Sequence, residues 1–255
     1  MIKSNGSIKK YEVKFFLETT KVLNEKHELK SDLSLIKDFQ ISNFKRRDIQ
    51  FIDTLNKDMY NNGWILRYRK KEEKDKCELT YKKRYAINND DIESMLAQAC
   101  KDGLMQDGSR FEVELEWGYL KKVLSVSLEE KEPISDSSAS NLPSIEDLQK
   151  LFLHRAPQEF INWNNKDWGA VHINKSRIYG PIDAKVYEGQ WNETEINIEI
   201  WSKVINNNTE SIAEVSFKVE NEDVANQLHL KLKNYLCPND WLIKDDLSKT
   251  EWAMK

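Results

Sequence analysis

The chain has 255 residues, 39 of them lysine or arginine and 43 aspartate or glutamate, for a formal net charge of −4, with 39% hydrophobic residues, eight glycines and five prolines. This composition is that of a folded globular chain long enough for one large domain; it excludes a disordered polymer and gives no reason to expect a nucleic-acid polymer or a membrane surface as partner. Three cysteines far apart (Cys77, Cys100, Cys237) and scattered histidines (His27, His154, His172, His229) argue against a zinc site or a disulfide framework, and no segment reaches the ~18 apolar residues of a membrane span.

The first residues, MIKSNGSIKK, carry lysines with no apolar run behind them and do not read as a signal peptide, so the expectation is a cytoplasmic protein with reduced thiols. YEVKFFL follows as a strand, with Tyr11, Val13, Phe15 and Leu17 on one face and Glu12 and Lys14 on the other. RDIQFIDT, WILRYRKK and KCELTYKKRY continue the strand pattern, the first pair separated by a turn around YNNG. NDDIESMLAQACKDG then reads as a helix with an Asn/Asp cap, an apolar stripe of Ile92, Met95, Leu96 and Ala99, and a stop at Gly103. RFEVELEW is a further strand, after which SLEEKEPISDSSASNLPS reads as an exposed polar loop. SIEDLQKLFL is a helix capped by Ser144. TEINIEIW and SIAEVSFKVE are strands joined by a turn, and NEDVANQLHLKLKNYLCP is a helix that ends before Pro238. No internal repeat and no boundary stand out, so residues 1–255 read as a single domain, with 222–255 as its C-terminal helical region.

The polar strand faces are almost wholly ionic. Arg67 and Arg69 share a face, as do Glu78, Thr80, Lys82 and Arg84; Arg110, Glu112, Glu114 and Glu116; Glu195, Asn197 and Glu199; and Glu214, Ser216 and Lys218. A sheet with one face in water gives the same alternation. Cations, however, gather on the earlier hairpin and carboxylates on the later strands, and helices are at hand to cover the apolar faces. A sheet closed with those helices outside would turn the ionic rows into a polar bore. Unpaired charges in such a bore are costly, and a metal-bound oligophosphate would satisfy both signs.

In this order the motifs resemble the CYTH superfamily, the triphosphate tunnel metalloenzymes. The family's opening E-x-E-x-K strand is matched by Lys10, Glu12 and Lys14; its aromatic-x-Asp-Thr strand and Leu-Arg-x-Arg strand by FIDTLNKDMYNNGWILRYR; its Leu-Thr-x-Lys strand by LTYKKR with Lys82; and its Arg-x-Glu-x-Glu strand by RFEVELE. SRIYG supplies Arg177 where a later basic strand is expected, and INIEIWSK and IAEVSFKV resemble the last acidic strands through Glu199 and Glu214, with residues 119–170 as a helical and loop insertion of variable kind. Lys10, Asn197 and Ser216 stand where carboxylates are expected, leaving fewer oxygens than a two-metal site takes.

The resemblance implies an α+β fold: a closed, eight-stranded antiparallel β-barrel with a charged lumen and helices packed outside. It implies that Lys14, Arg67, Arg69, Lys82, Arg84, Arg110, Arg177 and Lys218 bind phosphate oxygens, that Glu12, Glu112, Glu114, Glu199 and Glu214 hold Mg²⁺ or Mn²⁺, and that Glu12, Lys14, Arg67, Arg69, Lys82 and Glu114 carry the reaction. The expected activity is metal-dependent hydrolysis of inorganic triphosphate or a triphosphorylated organic compound. The alternatives are a tunnel that binds polyphosphate or a nucleotide without cleaving it, and an adenylate cyclase of the same fold. Glu116, near a strand end, is expected at an exposed rim; Lys83 alternates away from Lys82; Trp64, Trp163 and Trp168 read as shell packing, the last two alternatively as a stacking surface. No P-loop, dinucleotide fingerprint or G-x-S-x-G is present.

Overall fold

The computed structural model describes residues 8–42, 44–72, 74–106, 108–134 and 142–255. The start of the chain and the serine-rich stretch 135–141, expected as loop, lie outside these. The alternating stretches form nine strands: β1 (Lys10–Leu17), β2 (Phe44–Asp53), β3 (Trp64–Lys71), β4 (Lys76–Ala86), β5 (Glu112–Trp117), β6 (Lys122–Pro133), β7 (Arg177–Trp191), β8 (Thr194–Ile205) and β9 (Asn208–Val219). They close in the order β1-β5-β6-β4-β3-β2-β7-β8-β9.

Two expectations are corrected here. The barrel has nine strands, because the supposed insertion 119–170 opens with β6, which pairs with both β4 and β5. It is also not wholly antiparallel: β1 runs parallel to β5, with Glu12 beside Glu116, while its other edge is antiparallel to β9, with Glu12 beside Lys218. The two facts are one. Strand directions cannot alternate all the way round an odd-numbered ring, so an inserted ninth strand forces a parallel seam.

Helices clothe the outside, beginning with the short α1 (Thr19–Val22), α2 (Ser34–Asp38) and α3 (Asp58–Asn61). α4 (Ile92–Lys101) is capped by Asp91, α5 (Ile145–Arg155) by Ser144 and α8 (Glu222–Leu236) by Asn221, each cap accepting a hydrogen bond from a first-turn N–H. α5, α6 (Gln158–Ile161) and α7 (Trp168–Asn174) bury Leu148, Phe152, Phe160, Trp168 and Ile173 against Trp64, Leu66, Leu79, Tyr81, Leu124, Val126 and Leu128. Trp163 and Trp168 both belong to this packing, edge to face with Trp64 and Phe160. On another side α8 lays Leu228, Leu232 and Leu236 on Val13, Phe15, Leu17, Ile198 and Val215. The apolar alternation is thus the jacket.

A third cluster lies elsewhere. Phe16, Ile49, Phe51, Ile65, Ile182, Ala184 and Trp201 pack together with Ala253 and Met254 at the end of the chain, where α9 (Lys249–Ala253) docks.

Candidate functional site: the charged chamber

Inside the strands is a cavity of about 510 Å³, within the range usual for small-molecule sites, ~300–1,000 Å³. Ten lysines and arginines and eight glutamates line it. Of the residues singled out from sequence, Glu12, Lys14, Arg67, Arg69, Lys82, Arg84, Arg110, Glu112, Glu114, Glu199, Glu214 and Lys218 all border it. Arg110 and Glu112 do so from the rim, with side chains 64% and 58% exposed, Arg110 pairing with Glu130 and Glu112 with Lys10. Arg177 is a correction. It lies exposed in an outer groove, its guanidinium 4.9 Å from the Tyr179 ring, while β7 gives Ile182 and Ala184 to the apolar end of the barrel.

Glu116 is the second correction. The continued alternation of β5 carries it inward, where it is 3% exposed rather than at a wet rim. Lys14 (2.6 Å), Lys82 (2.9 Å) and Arg84 (3.0 Å) all reach its carboxylate. Burial alone would raise its pKa, but Arg84, Lys14 and Lys82 outweigh that and hold it well below the ordinary range. Lys14 is raised, since Glu116 and Glu214 overcome its burial. Lys82 moves the other way: burial pushes its ammonium down, and Arg84 adds to this against Glu116.

Arg67 differs from its neighbours. One terminal nitrogen donates to Thr80 Oγ1 at 3.2 Å, but its Nε is shut off from solvent without a partner. Among the described residues no carboxylate pairs with it, whereas Arg69 beside it bonds Glu78 (2.5 Å) and Glu129 (3.0 Å). Burial first and the like charge of Arg69 second push its pKa down to about 10. A guanidinium so placed is electrostatically open to an anion.

The carboxylates expected to hold a metal are otherwise engaged. Lys218 lies between Glu114 (2.8 Å) and Glu12 (3.7 Å), and Lys249 between Glu199 (2.6 Å) and Glu214 (2.7 Å). Among the described residues no three His, Cys, Asp or Glu side chains come together as metal ligands. Hard divalent ions take about six oxygens, so the donor set as arranged does not fit Mg²⁺ or Mn²⁺.

Sequence reasoning missed three contributors, the first being Glu129 of β6, which lines the cavity and pairs with Arg69 at 3.0 Å. Arg47 enters from β2 and reaches Glu199 at 3.6 Å; its place on the inward face follows from alternation with Ile49 and Phe51. Lys249 comes from a five-residue helix beyond the barrel and carries no periodic signal. Lys83 points outward, as expected, to the Asn62 carbonyl and the Trp163 ring.

Comparison with known proteins places this architecture. The chain is similar to the solved structure of a candidate adenylyl cyclase from Hippeastrum with a dominant triphosphatase activity (TM-score 0.51, 13% identity, 94% of this chain and 92% of that one). It is equally similar to a candidate adenylate cyclase from Bacillus halodurans (TM-score 0.51, 13% identity, 96% and 98% covered). No family model and no curated protein matches by sequence. The likeness establishes the fold, the closed barrel shared with these two structures. No helix among the described residues is long and apolar enough to cross a membrane.

Proposed function

We propose that the chamber takes up the phosphate chain of a triphosphate-bearing small molecule and that the protein hydrolyses its phosphoric anhydride. The observation that carries the reading is Arg67, a guanidinium inside a cation-rich cavity with no carboxylate of its own among the described residues. Arg67, Arg69 and Arg84 would grip phosphate oxygens in bidentate fashion, with Lys14, Lys82 and Lys218 as point charges. Phosphoryl transfer asks mainly for positioning and charge stabilisation, which this ring can supply from its own side chains. Water adds to the terminal phosphorus as the P–O bond to the departing phosphate breaks. Lys82, whose ammonium burial pushes down, is the proton donor we assign to that departing oxygen; one of the water's protons stays on the released orthophosphate and the other restores the Lys82 ammonium. The reaction is written without a metal, because Glu12, Glu114, Glu199 and Glu214 are engaged by Lys218 and Lys249.

That same pairing favours a second reading, a tunnel that holds oligophosphate without cleaving it. Titration calorimetry with tripolyphosphate and release of phosphate separate the two. Arg67→Ala is expected to weaken tripolyphosphate ~10- to 100-fold, the scale of a lost charged hydrogen bond. Undiminished binding in that variant overturns the site. Binding without phosphate release selects the second reading, and a cyclic nucleotide with pyrophosphate from ATP would assign a cyclase instead.

A further inference from the structure

Glu199 and Glu214 face each other directly across β8 and β9, so the fold itself sets two carboxylates side by side. Like charges so opposed are unfavourable without a cation between them. The chain supplies one. The Lys249 ammonium lies 2.6 Å from Glu199 and 2.7 Å from Glu214, and 4.7 Å over the Trp201 ring. The remaining capacity of Glu199 is taken by the Trp201 indole N–H (3.0 Å) and by Arg47.

The arm bearing Lys249 is fixed on both sides. Upstream, Ile243 donates its N–H to the Phe16 carbonyl, and the Asp246 carboxylate accepts the backbone N–H groups of Tyr119 (2.5 Å), Leu120 (2.7 Å) and Lys121 (2.7 Å). Ser248 caps α9, and downstream Lys203 donates to the Trp252 carbonyl at 2.5 Å while Ala253 and Met254 sit in the apolar cluster. Lys249 is therefore delivered to the carboxylate pair by a docked element, and its side chain is only 18% exposed.

We infer that Lys249 is a built-in cation that occupies the position between Glu199 and Glu214 and so excludes a divalent metal from this part of the chamber. A single ammonium neutralises half of the pair's charge and brings three directed donors, whereas a divalent ion would find two protein carboxylates already hydrogen-bonded. The inference deepens the reading of the chamber as a triphosphate site and rests on it for the meaning of the exclusion. Its test is run without triphosphate, so the two can fail separately.

The test is uptake of Mn²⁺ followed by the electron paramagnetic resonance signal of the free ion. Lys249→Met is expected to bind Mn²⁺ at least ~10-fold tighter than wild type, Lys249→Arg no tighter, and Lys249→Met with Glu214→Gln to lose the gained site. Equal uptake by wild type and Lys249→Met, with the variant folded, overturns the inference. Should Lys249→Met not fold, the wild-type protein decides. Mn²⁺ bound between these glutamates would selectively broaden the nuclear resonance of the adjacent Trp201 indole N–H, so broadening at the metal concentrations used overturns the inference and an unaffected resonance supports it.

Discussion

At the scale of single residues, Arg67 and Glu116 define opposite kinds of charge in one chamber. Glu116 is satisfied by three cations, so its removal should damage the fold. Glu116→Gln leaves Lys14, Lys82 and Arg84 without their common partner and is expected to cost about 3 kcal/mol in urea unfolding at pH 7. The folded carboxylate titrates below its ordinary value, ~4.3, so its contribution is complete above that pH and is lost as the pH falls through the folded value. The stability gap between wild type and variant should therefore close on acidification below about pH 4.3; a gap unchanged there would mean that Glu116 acts by packing alone. Arg67 should behave in reverse. Arg67→Met removes an unpaired charge and is expected to stabilise by roughly 1 kcal/mol while weakening tripolyphosphate. Loss of both stability and binding would instead make Arg67 structural.

At the scale of elements, one of the contacts that hold the C-terminal segment is a close approach to a glycine. A Cβ on Gly118 would lie 2.0 Å from Asp246 Oδ1, so the β5–β6 turn can receive that carboxylate only as glycine. Gly118→Ala should expel Asp246, cost about 1–3 kcal/mol for the abandoned hydrogen bonds, and raise hydrogen exchange over residues 243–255 while the barrel strands stay protected. Exchange rising equally in β1 and β9 would show that the arm and the barrel open together. The same elements explain what was readable beforehand. Alternation in β1, β3, β4, β5, β8 and β9 puts ionic rows on one face, and the jacket follows from the apolar rows. β6 escaped because its inward positions are Ser125, Ser127 and Glu129, two hydroxyls where its neighbours carry charges, beside a genuinely polar stretch. Arg177 misled because a basic residue near a strand start carries no mark of which face the strand will turn inward. Lys249 could not be placed at all: five helical residues have no period to read, and their destination depends on long-range contacts of Phe16 and the β5–β6 turn.

At the scale of the whole molecule, the chamber joins eight of the nine strands, all but β7, through like and unlike charges, so its occupancy should register in global stability. Cations outnumber carboxylates around the cavity, and Arg67, which among the described residues has no carboxylate partner, lies within it. A polyvalent anion that enters satisfies charges the empty chamber must otherwise accommodate, and it binds only the folded state, since the unfolded chain scatters these side chains over 255 residues. At a hundred times its dissociation constant such a ligand stabilises by about 2.7 kcal/mol, which for a chain of this length is a rise of roughly 5–11 °C in Tm. Tripolyphosphate should produce that rise, and sodium chloride at equal ionic strength should not, because a screening effect acts on exposed charges and little on those inside. Mg²⁺ alone should leave Tm unchanged, since Lys218 and Lys249 already lie between the glutamates it would seek. The decisive comparison is Arg67→Met, in which the response to tripolyphosphate should shrink while the melting temperature of the unliganded protein does not fall. A full response in that variant would place the anion outside the chamber.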